Sequence, residues 1–179
     1  GPSAAALYGA SAANGVILIN TKKGAAGKLR VNFSSSVETA SPFIMPKFQN
    51  TYGNKPGDYT SWGEKLATPT DYQPRDFFNR GVTYNNSFNF SVGTDKNQTY
   101  FSASAINAKG IVPNNKYHRY NASIRNTAKF LDDKLTLDVS ANYIRDYANN
   151  MISYGAYFNP IVGAYLYPRG KNFDQEKYF

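Results

Sequence analysis

The chain has 179 residues, with 20 Lys and Arg against 12 Asp and Glu (net charge +8), no Cys, one His, 15 Tyr, 12 Phe and one Trp. The absence of cysteine excludes a disulfide scaffold, a thiol nucleophile and any Cys-based zinc or iron–sulfur site, and a lone His118 disfavours a His-based triad and excludes a two-His zincin helix. No catalytic residue, metal site or cofactor is assigned, and the chain reads as a non-enzyme. The basic residues are scattered, with only Lys22 and Lys23 adjacent, so no basic stripe points to a nucleic-acid partner. The longest aliphatic run, Val16 to Ile19, is far short of the ~20 apolar residues of a membrane-spanning helix. The opening Gly1-Pro2-Ser3-Ala4 lacks the basic and apolar regions of a secretory signal, and the expectation is a sequence that begins downstream of one.

In chain order, Ala4 to Tyr8 can form a helical turn that Gly9 ends. Gly15 then leads into Val16 to Ile19, which is expected in a strand covered on both faces and seated inside a lumen. The Gly9-x5-Gly15 spacing is not that of a phosphate-binding loop, because Val16 rather than Lys follows Gly15. A strand is expected over 28–39, with Leu29, Val31 and Phe33 opposed to Lys28, Arg30 and Asn32. A long Pro- and aromatic-rich connection follows at about 40–83, and of its rings Trp62 is the best candidate for an external contact.

From Tyr84 onward side chains alternate with a period of two. Tyr84, Phe88, Phe90 and Val92 oppose Asn85, Ser87, Asn89 and Ser91; Phe101, Ala103 and Ala105 oppose Tyr100, Ser102 and Ser104 across a turn at 94–98. After a Gly-, Pro- and Asn-bearing connection at 108–116, Tyr120, Ala122, Ile124, Ala128 and Phe130 oppose Arg119, Asn121, Ser123, Arg125, Thr127 and Lys129. Asp132-Asp133 reverses the chain as exposed turn formers, and Leu135, Leu137, Val139, Ala141 and Tyr143 then oppose Thr136, Asp138, Ser140 and Asn142, with Ile144 breaking the polar side.

The connections run long, short, longer, short, long. Short turns alternating with long loops between strands of roughly 10 residues, apolar on one side and polar on the other, are what a transmembrane β-barrel produces, and Tyr and Phe gather at the strand ends where interfacial girdles belong. Periodicity alone leaves a soluble all-β module open beside the barrel.

The first 24 residues carry the motif that separates these readings. Leu7-Tyr8-Gly9, Asn14-Gly15-Val16-Ile17-Leu18-Ile19 and Thr21-Lys22-Lys23-Gly24 resemble the end of the plug domain of TonB-dependent outer-membrane transporters, and the SusC/RagA branch in particular. Gly110-Ile111-Val112-Pro113-Asn114 and Tyr165-Leu166-Tyr167-Pro168-Arg169-Gly170 are similar to that branch as well.

The resemblance implies an all-β fold: about five N-terminal strands of a transmembrane antiparallel barrel preceded by the last element of an α+β plug. The expected organisation is the plug's end at 1–24, a linker at 25–27, barrel strands over 28–147 and an extracellular loop region at 148–179. Barrels of this kind have roughly 22 strands, so the chain is expected to be a piece of a longer polypeptide. Arg119, Asn121, Ser123, Arg125, Asp138 and Asn142 would face the lumen, and Phe88, Phe90, Val92, Ile124, Leu135, Leu137 and Val139 the lipid. The implied activity is TonB-dependent uptake of a large nutrient, an oligosaccharide or peptide, across the outer membrane of a Gram-negative bacterium. The implied partners are the lipid bilayer, a SusD-like surface lipoprotein and the TonB complex, the last through a Ton box outside this chain. Two rivals are a SusC-like barrel serving as a structural subunit of a larger outer-membrane assembly, and a soluble all-β carbohydrate-binding module.

Overall fold

The structure is a computed structural model that describes residues 2–176 apart from 13, 18, 20, 59 and 60. After helix α1 (Pro2–Tyr8) come five strands, β1 (Gly27–Ala40), β2 (Gly81–Gly93), β3 (Asn97–Lys109), β4 (Lys116–Phe130) and β5 (Leu135–Asn149), then helices α2 (Pro160–Leu166) and α3 (Phe173–Glu176). The strands form one sheet in the order β1-β2-β3-β4-β5, so every neighbour in sequence is a neighbour in space. They run for 13 to 15 residues, past the limits that alternation alone suggests, because backbone pairing continues where the side-chain pattern fades.

Side-chain bonds fix the register. Asn32 pairs with Asn89 and Ser35 with Asn86 between β1 and β2; Phe90 stacks on Phe101 between β2 and β3. Asn121 bonds Ser104 between β3 and β4, and Ser123 bonds Asn142 between β4 and β5. In this register the apolar parity of each strand adjoins the apolar parity of the next. A slip of one residue at any of these pairings would turn one strand's Leu, Val and Phe toward its neighbours' Asn and Ser. Residues of β1 and β5 are exposed on both parities, apart from Asn149.

The two tight turns are built differently. At the first, Thr94 accepts from the backbone N–H of Lys96 and Asn97 through its hydroxyl, while its own N–H donates to the Asn97 carbonyl. At the second, Leu131, Asp132 and Asp133 all take positive φ, at 52°, 51° and 67°. Asp tolerates that region through its short polar side chain.

The chain divides into two compact units. One comprises Gly1–Arg30, Ser91–Tyr100 and Arg125–Ser140, and holds α1, the approach to β1 and both tight turns. The other comprises Val31–Phe90, Phe101–Ile124 and Ala141–Phe179. In the second, the long connection after β1 packs on the segment after β5. Tyr72 stacks on Phe173 at 4.1 Å and meets Tyr167 edge-on, and its hydroxyl donates to the Ala164 carbonyl. Asn159 caps α2 by accepting from the Ile161 N–H, with Pro160 at the first helical position.

One expectation is corrected. Val16, Ile17 and Ile19 form no strand and are exposed, Ile17 to 89% and Ile19 to 79%. A strand exists by pairing its backbone with a neighbour, and among the described residues no segment pairs with 16–19; Leu18 and Asn20 lie outside the described residues.

Asp133→Val, which puts a β-branched side chain at φ 67°, is expected to lower stability by ~1–2 kcal/mol while Asp133→Gly leaves it unchanged or higher, as measured by denaturant unfolding of the full-length protein.

Candidate functional site

The stretch Thr21–Ala25 lies across the polar parity of the sheet on its way into β1. Arg125 on β4 forks onto Asp138 of β5, Nε donating to Oδ1 at 2.8 Å and Nη2 to Oδ2 at 2.6 Å, and its remaining nitrogen Nη1 donates to the Thr21 hydroxyl. Lys23 adds a second cation 3.7 Å from the same carboxylate. Next along the chain, Gly24 is buried against β3, where an added Cβ would lie 2.7 Å from the backbone of Gln98 and Thr99. The Ala25 N–H then donates to the hydroxyl of Ser91 on β2 at 2.9 Å. Thr21 to Ala25 therefore touches β4 and β5, β3 and β2 in turn before becoming β1.

This geometry explains why the residue types sit where they do. A planar guanidinium can satisfy a carboxylate with two donors and still present a third to a hydroxyl, which Lys cannot do. Gly at 24 allows backbone-to-backbone approach that any side chain would block.

The remaining polar candidates lie in the other unit. Asn121 donates to Ser104 and accepts from Arg119 Nε at 3.3 Å, Arg119 approaches Asp146 at 3.5 Å, and Ser123 donates to Asn142 at 2.7 Å. Within that unit Phe88, Phe90 and Phe101 form a ring cluster with centroids 5.4 to 6.4 Å apart. Val92, Ile124, Leu135, Leu137 and Val139 share the apolar parity and keep exposed side chains. Of the motif residues, Leu7, Tyr8, Asn14 and Lys22 are exposed, while Gly9 and Gly15 take φ of 82° and 111°.

Trp62 is 70% exposed and leans on Tyr52. It borders a cavity of about 540 Å³ with Phe48, Tyr165 and Arg169. Tyr59, another ring of that connection, lies outside the described residues. Arg169, which the sequence offers only as part of the Tyr165–Gly170 segment and without a site role, is only 3% exposed; its guanidinium lies 4.6 Å from the Phe48 ring centroid and 5.3 Å from that of Tyr72. A single Arg between aromatic runs was the available sign. Burial pushes the Tyr72 phenol up to about 12, opposed by Arg169, and burial also holds the Arg169 guanidinium below its ordinary value. The contacts of Thr21, Gly24 and Ala25 to the strands were equally invisible, because they join residues as many as 104 positions apart.

No protein-family model matches the chain. It is 32% identical over 155 residues to the TonB-dependent receptor SusC of Bacteroides thetaiotaomicron, a match covering 79% of this chain and 15% of that protein. Two proteins of Formosa agariphila also match: TonB-dependent receptor P3, 30% identical over 66% of the chain and 12% of that protein, and TonB-dependent receptor P26, 28% identical over 86% and 17%. The chain thus spans 12 to 17% of the length of these relatives.

Gly24→Ala is expected to destabilise the full-length protein by ~1–3 kcal/mol through overpacking, whereas Gly163→Ala, inside α2 with open space around its Cβ, is expected to leave stability unchanged or raise it by up to ~1 kcal/mol; unfolding midpoints compare them. A second test concerns pH. Because the folded-state value of Tyr72 lies above its unfolded value, its burial contributes stability that is complete below about pH 10 and lost as the pH rises through about 12. Tyr72→Phe should remove that part of the alkaline decline, read from denaturation midpoints across the range.

Proposed function

We propose, for a chain that belongs with the SusC-like TonB-dependent receptors, that the whole protein is an outer-membrane barrel which imports a large nutrient under TonB control. The observation that carries this reading is the shared parity of the sheet, which places Leu29, Val31, Phe33, Phe88, Phe90, Ile124, Leu135, Leu137 and Val139 on one face and gathers Asn, Ser, Arg and Asp side chains on the other. A face of that kind suits lipid, and the opposite one suits a wet interior. In this reading residues 1–24 end the plug, 25–27 link it to the wall, 28–147 are wall and 148–179 lie outside the cell. Arg119, Asn121, Ser123 and Asn142 face the lumen, and Phe88, Phe90, Val92 and Ile124 face lipid.

The nutrient is an oligosaccharide or a peptide, delivered with a SusD-like lipoprotein at the extracellular mouth, and Trp62 is available there for contact. No bond chemistry is involved.

Uptake by cells carrying the full-length gene tests the reading. Accumulation of labelled oligosaccharide or peptide that disappears when TonB is deleted is expected; TonB-independent accumulation, or none with any solute of these classes, would overturn it. For the wall itself, Ala141→Lys, near the middle of β5, should lower stability in lipid vesicles by about 2–4 kcal/mol while Ser140→Lys should cost much less, measured by urea titration of the embedded protein.

A further inference from the structure

We propose that Thr21–Ala25 is a fixed strap and not a moving part of the plug, and that Arg125 and Asp138 are its positioning residues; the inference rests on the transporter reading above. The attachments are of different kinds and act on consecutive residues. Thr21 and Lys23 are held by the Arg125–Asp138 pair, Gly24 by backbone contact with Gln98 and Thr99, and Ala25 by Ser91. Lifting the strap would separate them together, since five residues give no slack for peeling one and keeping the next. Upstream of it, Gly15 adopts a φ of 111° that little else tolerates.

A load applied toward the N-terminus would therefore travel down the chain and stop at Thr21. Without the strap it would reach Gly27, where β1 begins. The fixed point moves from the first strand to a position over β4 and β5, and the solute path cannot open between these residues and the wall they cover. Arg125 and Asp138 then act as anchors for the plug and not as lining of the path, which separates them from the other four polar candidates.

Amide exchange followed by mass spectrometry on the full-length receptor tests this. In the wild type, amides of 21–25, among them the Ala25 N–H bonded to Ser91, should exchange at least about tenfold more slowly than in an unfolded peptide of the same sequence. Arg125→Gln should raise exchange in 21–25 by about tenfold with β2–β5 unchanged, and Arg125→Lys should restore part of the protection. Should Arg125→Gln fail to assemble, Thr21→Val, which replaces the hydroxyl with a methyl group of similar size, supports the same comparison. Exchange in 21–25 as fast as in the unfolded peptide, or indifference to these variants, overturns the strap. A disulfide between Ala25→Cys and Ser91→Cys should leave uptake intact; loss of uptake reversed by a reductant would show that the stretch must move. If the wild type imports nothing, the transporter reading fails, and the exchange data still decide the strap.

Discussion

Everything in this sheet depends on keeping one parity in step across four strand pairings. Each strand is amphipathic by itself, but a face exists only if β1 through β5 agree, and each junction offers a slip that would put Phe or Leu beside Asn or Ser. The bonds that hold the register are mostly polar: Asn32 to Asn89, Asn121 to Ser104, Ser123 to Asn142. Such pairs add little energy individually, on the order of 1 kcal/mol. Their larger effect is selective, because the wrong register would strand their donors and acceptors beside the neighbouring strands' Phe, Leu and Val.

The same polar face carries the strap. An Arg–Asp fork between adjacent strands is already complete as a wall element; its third donor is what reaches the chain passing over it. Gly24 and Ser91 then show the complementary device, backbone brought close where no side chain intervenes. The wall and the stretch feeding into it are thereby built from one set of residues, and a change at Arg125 or Asp138 affects both.

The alternation from Tyr84 to Tyr147 made the strands, the two tight turns and the side-chain parities legible from the amino acids, because a period of two is a local property. Strand ends were less legible: pairing extends β5 to Asn149 and β4 to Lys116, where the pattern has already faded. Val16, Ile17 and Ile19 form no strand among the described residues, since an aliphatic run states a preference for burial and says nothing of whether a partner strand is present. The strap and the Arg169–Tyr72 packing were out of reach, because both join distant segments through contacts that no spacing rule encodes. Alternation marks Arg125 and Asp138 only as polar residues of one parity; their mutual bond and the hold on Thr21 come from the fold.

The central claim is that the apolar parity meets lipid and the other parity meets water. Spin labels placed singly from 117 to 128 on β4 and from 135 to 144 on β5 of the full-length receptor, reconstituted in lipid vesicles, test it most directly. Collisions with oxygen should peak at the even positions of β4 and the odd positions of β5, with a water-soluble relaxing agent peaking at the alternate ones. A flat profile, or two strands out of step by one residue, would contradict it.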